Sequence, residues 1–266
     1  MHNSFYEPAG DGSYLATPAT TGPWSADTQH GGPPSALAAR ELEAFRPDPG
    51  QRLARVAVDI LRPMPAGRLT LATRMVRPGR RIALLETVME CDGQEVLHAR
   101  GWRIARSPEP TPAVAPPGAP PLPPMPPARP RLPFSGMHTD GYLAAIEWRF
   151  VSGGFDHLDP AGGRAWTRPR IPLVPGEDLS PMCRALLVAD SGNGIGAVLD
   201  PARFLFLNVD LTVVLWRDPP GEWLLLSAAT NIGTQGSGMV ETTISDRDGA
   251  LGTATQTLIV AQRQPG

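Results

Sequence analysis

The stretch His30-Gly31-Gly32-Pro33-Pro34-Ser35 decides how this chain is read, because its setting is written twice. Two glycines followed by prolines suit the start of a helix, and Leu37, Leu42 and Phe45 continue it at helical spacing. Three strand-like runs follow, the last two joined at Asp92-Gly93, a strong two-residue hairpin signal. Further on, Leu179-Ser180-Pro181 opens a second helix through Met182, Leu186 and Leu187, and strand-like runs again end in a pair joined at Asp248-Gly249. The interval between the two helix starts nearly equals that between the two turns. A helix followed by strands, repeated once, predicts a duplication whose halves pack with a site between them.

The halves are separated by proline. From Ser107 to Pro133 the chain runs through Pro-Glu-Pro-Thr-Pro and then Ala-Pro-Pro-Gly-Ala-Pro-Pro-Leu-Pro-Pro. Proline donates no ladder hydrogen bond and favours extended polyproline geometry, so this reads as a linker crossing the surface. A ligand for proline-recognition domains is the less common reading of such a stretch. The predicted organisation is an N-terminal unit over 1–106, a linker over 107–133 and a C-terminal unit over 134–266.

At 266 residues the chain is long enough for a sizeable core. A net charge of −2 gives no long-range attraction to nucleic acid or to an acidic membrane surface. All 24 basic residues are arginine. Cys91 and Cys183 lie among apolar residues and fit reduced, buried thiols. Glu7 and Asp11 interrupt the opening residues, which do not read as a secretory leader, and no apolar run reaches the length of a bilayer span. A cytoplasmic protein without nucleic-acid or membrane partners is expected.

Within the first half, Val56, Val58 and Ile60 alternate with polar or small residues, and Leu69, Leu71, Thr73 and Met75 mark a second strand. Ile82 to Cys91 and Glu95 to Ile104 form the hairpin. The second half offers short strands at Ile146–Arg149 and Arg164–Arg170, then long ones at Leu205–Arg217, Trp223–Asn231, Gly236–Ser245 and Ala250–Arg263. One helix against a long antiparallel meander, twice over, is an α+β class.

Four places could carry chemistry. Gly31 and Gly32 let a ligand approach the backbone at a helix start, whose unpaired N–H groups can stabilise a developing oxyanion; a plain helix start reads equally well. His30 beside them is a site residue or a cap. Asp210 interrupts the run Leu205 to Trp216, whose odd positions are apolar and should face the core. A carboxylate there suits a general base, or simply an aspartate paired with arginine. Gln256, on the last strand, can donate to a carboxylate and accept from water at once, and Thr230, Asn231 and Thr234 cluster between the preceding strands and offer further polar contacts. Asp190-Ser-Gly-Asn-Gly194 reads as a ligand loop or a helix C-cap. His157-Leu-Asp159 lacks companions for a hydratase, His98 on a strand reads as structural, and no Cys/His/Asp spacing suggests a metal.

With these residues in place, the chain resembles the TesB-like, thioesterase II group of double-hotdog acyl-CoA thioesterases. The likeness is carried by the Gly-Gly helix start, Arg74-Met-Val-Arg-Pro-Gly-Arg-Arg-Ile82 with its hairpin, Ile146-Glu-Trp-Arg149, Ala165-Trp-Thr-Arg168, and the order Asp210, Glu222-Trp-Leu-Leu225, Gln256. The resemblance implies two curved antiparallel sheets, each wrapped around a central helix and joined edge to edge. It implies hydrolysis of acyl-CoA by a water held by an Asp, a Thr or Ser, and a Gln, matched here by Asp210 and Gln256. The Thr slot falls near Asn231, a departure that Thr230 or Thr234 would have to make good. His30, Gly31 and Gly32 would bind substrate. No cofactor is implied beyond the coenzyme A of the substrate, and the family pattern favours a homo-oligomer. A silent acyl-binding protein of the same fold is the alternative.

Overall fold

In a computed structural model, which describes residues 3–114, 121–128, 137–154 and 157–263, the alternating runs pair into one large antiparallel sheet. The first half supplies β1 (Tyr6–Pro8), β2 (Tyr14–Ala16), β3 (Gln51–Ile60), β4 (Arg68–Arg77), β5 (Ile82–Cys91) and β6 (Gln94–Ala105). The second half supplies β7 (Ile146–Ser152), β8 (Gly163–Pro169), β9 (Phe204–Asn208), β10 (Asp210–Leu215), β11 (Leu224–Ile232), β12 (Ser237–Asp246) and β13 (Gly249–Gln262). Their order is β1-β2-β4-β5-β6-β3-β10-β13-β12-β11-β8-β7, with β9 paired to β13. The seam between the halves is the pairing of β3 with β10, Val56 opposite Val213.

Two helices lie against this sheet. α1 (Gly32–Ala44) and α3 (Pro181–Ala189) pack on each other, burying Leu37, Ala38 and Leu42 from one and Leu186, Leu187 and Ala189 from the other. Proline stands in the first turn of each, and the Ser180 hydroxyl caps α3 by accepting from Cys183 N–H at 3.1 Å. Two single-turn helices, α2 (Tyr142–Ala145) and α4 (Gly192–Ile195), flank the second half. The sequence did not mark these turns, nor β1 and β2. Both cysteines are free and buried, as expected.

The first hairpin turns at Asp92-Gly93, both at positive φ, as expected. The second does not turn at Asp248-Gly249. Asp246 pairs with Gly249, so the loop residues are Arg247 and Asp248. The Arg217 guanidinium fixes this turn with hydrogen bonds to both Asp246 oxygens, at 2.5 and 2.6 Å, and to Gly249 O. The long strand expected over Leu205–Arg217 is also broken. Asn208 pairs with Leu258 and Thr212 with Thr255, which sets residues 209–211 opposite 256 and 257. One extra residue makes a bulge, and the inward face changes from Phe206 to Leu211, Val213 and Leu215. The linker residues 115–120 and 129–133 lie outside the described part. Among the described residues no helix is long and apolar enough to cross a membrane.

Candidate active site

The start of α1 meets the end of α3 at a distance that only glycine allows. A Cβ on Gly31 would lie 2.8 and 3.0 Å from the two carboxylate oxygens of Asp190, and one on Gly32 would lie 2.3 Å from Leu187 O. The glycine pair therefore admits the other helix and its terminal aspartate, where the sequence suggested a ligand. Pro33 and Pro34 carry no N–H, so few backbone donors remain at this helix end.

Asp190 is the C-cap of α3 and is almost fully buried. The Asn208 amide donates to its Oδ1 at 2.7 Å, and the Gln256 amide donates to its backbone oxygen at 3.0 Å and to Oδ1 at 3.3 Å. His30 Nδ1 lies 3.0 Å from Oδ2 and 3.1 Å from the Gly32 nitrogen. A single ring nitrogen cannot donate to one and accept from the other. The buried carboxylate makes the stronger demand, so Nδ1 donates to Asp190, and the Gly32 N–H also turns to the carboxylate. Burial alone would raise the Asp190 pKa. The nearby His30, the Asn208 amide and the Gly32 N–H outweigh it and hold the group below the usual carboxylate range.

The surroundings fix these donors in turn. The Gln256 carbonyl accepts from Asn193 N–H at 3.2 Å, which sets the amide with its NH2 toward Asp190. The His30 ring stacks on Tyr142, with centroids 3.7 Å apart and planes 8° apart. The Tyr142 hydroxyl bonds Leu187 O and Ser191 Oγ, and burial raises its pKa far above the ordinary value.

A cavity of about 430 Å³ opens onto this cluster. Its polar end is formed by His30, Gly31, Asp190 and Asn208, and its walls by Trp24, Leu61, Met64 and Ile259. Gln256 does not line it and lies behind Asp190.

The expected catalytic set is split. Asp210 accepts from the Thr257 N–H at 2.5 Å and from the Thr257 hydroxyl at 3.2 Å. Successive residues of a strand face opposite sides, so Asp210 on Thr257 and Asp190 on Gln256 occupy opposite faces of β13. Asn231 and Thr234 are exposed on β11 and the turn after it, and the Thr230 hydroxyl is buried on β11. Among the described residues no hydrogen bond joins these three to Asp190 or Gln256. His30, Gly31, Gly32 and Gln256 do come together, around Asp190 and Asn208. The signal available for Asp190 was its place just beyond an apolar helix, and for Asn208 its place two residues before Asp210 in the same strand-like run.

Residues 20–104 match the family model of the acyl-CoA thioesterase N-terminal domain, and residues 116–260 match that of the C-terminal domain. No curated protein matches the sequence significantly. Among solved structures, a hot dog fold protein from Alicyclobacillus acidocaldarius superposes with a TM-score of 0.74 at 18% identity, covering 97% of this chain and 96% of that one. A proposed thioesterase from Novosphingobium aromaticivorans gives 0.71 at 21% identity, covering 96% and 98%. Acyl-CoA thioesterase II TesB2 from Mycobacterium marinum gives 0.64 at 17% identity, covering 98% and 97%. These similarities show the hotdog fold, and the family models, which between them take in most of the sequence, show the lineage. The chain belongs to the acyl-CoA thioesterase family and is a thioester hydrolase.

Proposed function

We propose that the protein hydrolyses an acyl-CoA thioester with a water activated by Asp190. The observation that carries this reading is a buried carboxylate, held ionised by His30 and Asn208, at the polar end of an apolar cavity. Asp190 accepts the proton of the attacking water, and Asn208 takes the place that the family resemblance gives to a Thr or Ser. Gln256 positions Asp190 from behind. The Gly31 N–H, at the positive end of α1, is the donor for the oxyanion that forms on the thioester carbonyl. The acyl group and pantetheine arm share the cavity walled by Trp24, Leu61, Met64 and Ile259.

A duplicated, double-hotdog architecture accounts for there being one such centre among the described residues. Matched through their helix starts and hairpin loops, Leu42, Leu53 and Gly101 of the first half take the places of Asp190, Asn208 and Gln256. There a Cβ on Gly101 would lie 2.8 Å from Leu53 Cδ2 and 2.9 Å from Leu42 Cδ1. Two leucines over a glycine fill with core what is a polar site in the other half. The domain limits 1–106 and 134–266, joined by the linker, follow the same division.

The test is thiol release from a panel of acyl-CoAs. Asp190→Asn is expected to lower kcat by about 100-fold or more at unchanged fold, in the range of a lost general base. Asp210→Asn is expected to retain wild-type turnover. Loss in the second variant alone would return the base to Asp210. Binding of acyl-CoA without release by the wild-type protein would make it a silent carrier.

A further inference from the structure

The described piece of the linker, residues 121–128, touches the protein with a period of three. Leu122, Pro123, Met125 and Pro126 are partly buried, whereas Pro121, Pro124 and Pro127 are exposed. Three residues per turn is the repeat of a polyproline-II helix, which makes no internal hydrogen bonds and so leaves its carbonyls free to accept.

Two of those carbonyls, one turn apart, are bound. Trp166 Nε1–H donates to Pro123 O at 3.3 Å and Arg149 Nη1–H donates to Pro126 O at 3.2 Å. The donors are themselves directly opposite one another, Arg149 on β7 and Trp166 on β8. They belong to a built surface. The Trp223 ring lies under two guanidinium groups, Arg149 at 4.7 Å and Arg168 at 4.9 Å. Buried Glu147 holds both, with Arg149 at 2.9 Å and Arg168 at 2.7 Å. Arg149 is thereby fixed before it meets the linker. An indole N–H and a fixed cation, set to the pitch of a proline helix beside aromatic rings, are the elements by which proline-rich segments are recognised in general.

We propose that this face of β7 and β8 is a polyproline-II receptor whose occupant is the chain's own Leu122–Pro126 segment. The linker is then a latch seated in its own receptor. Covalent attachment gives the segment an effective concentration on the order of millimolar, enough to hold a contact too weak to persist between separate molecules. The inference is independent of the catalytic reading above.

The experiment uses the full-length protein with 15N-labelled tryptophan, the Trp166 indole signal being assigned by its loss in Trp166→Phe. In the wild type that indole proton should exchange slowly with solvent. The double substitution Leu122→Asp and Met125→Asp, outside the core, should unseat the latch and raise the exchange rate by about 10-fold or more. A synthetic peptide carrying residues 120–128, added at about 1 mM, should restore protection in the double variant and leave the wild type unchanged. A Gly-Ser peptide of equal length should do neither. Equal exchange in wild type and double variant would overturn the latch, because the linker would not cover Trp166. An unseated variant that the proline peptide fails to protect would overturn the receptor. Equal binding of the peptide to both proteins would overturn occupancy in cis and leave a groove for proline-rich segments of other chains.

Discussion

Asn208 donates its amide to Asp190 at 2.7 Å from a strand that a single extra residue turns inward. The donor is one of several that hold a buried carboxylate ionised, and the bond is charge-assisted, in the range of about 1.5–3 kcal/mol.

Removing that donor should therefore change both rate and titration. Asn208→Ala is expected to lower kcat by about 10-fold or more, on the magnitude of one charge-assisted hydrogen bond. With one donor fewer, the Asp190 carboxyl titrates at higher pH, so the acid limb of the kcat/KM profile moves up. A pH–rate series on wild type and variant checks this. An unchanged limb with reduced activity would assign Asn208 a purely steric role.

Two glycines separate catalysis from packing. Gly31→Ala brings a methyl group against the Asp190 oxygens and is expected to abolish most turnover. Gly101→Ala brings one against Leu42 and Leu53 and should cost about 1–3 kcal/mol of stability with kcat largely kept. Thermal melts and thiol release on the two variants distinguish the effects.

The sheet and both long helices were legible because their side chains repeat at the periods of a strand and a helix, from Val56-Val58-Ile60 to the start of α1 at Gly32. The site was legible only in part. His30, the glycine pair and Gln256 stood out by residue type, but strict alternation through Leu205–Trp216 fails at Val209. A bulge leaves no local composition mark, so alternation put Asn208 and Asp210 on one face of a single strand, whereas the extra residue sends them to opposite faces. Asp190 was obscured because an Asp just after a helix is read as a cap, and its burial comes from a contact with α1, remote in sequence. β1, β2 and α2 lack enough residues to show any period.

A different prediction concerns the end of α1. The Arg103 guanidinium is buried and donates to the carbonyls of Leu42, Glu43, Phe45 and Arg46, where no glycine closes the helix. Arg103→Met leaves those carbonyls without their partner and is expected to cost about 2–4 kcal/mol, of which the one fully buried acceptor, Leu42 O, contributes about 1–3 and the three part-buried ones, open to water, the small remainder. Chemical denaturation measures it, and a change under about 0.5 kcal/mol would mean that water replaces the guanidinium.

Stability should also depend on acidity with a defined sign. Burial disfavours the charged forms of Glu147 and Asp246, but Arg168 and Arg149 at the first and Arg217 at the second hold their pKa values below 4.5 and 3.8 respectively. The Arg100 hydrogen bond lowers Glu86 in the same sense. A depressed carboxyl contributes stability above its unfolded pKa and loses it as pH falls through the folded value. Glu43, raised by burial, acts in the opposite sense and above its unfolded value, so it does not oppose the loss on acidification. With three depressed carboxyls and Asp190, the melting temperature should fall once the pH drops below about 4.5. Melts across pH 3–8 test this, and a Tm that rises on acidification would contradict it.

The pocket's chemistry is assembled across the seam. His30 and Gly31 come before β3, Asp190 and Asn208 come after α3, and Tyr142 of the later half braces the ring of the earlier one. Turnover is consequently a gauge of registry between the halves. A slip along the β3–β10 ladder that leaves every helix and strand intact would still part His30 from Asp190, so catalytic rate should decline before any bulk signal of unfolding appears.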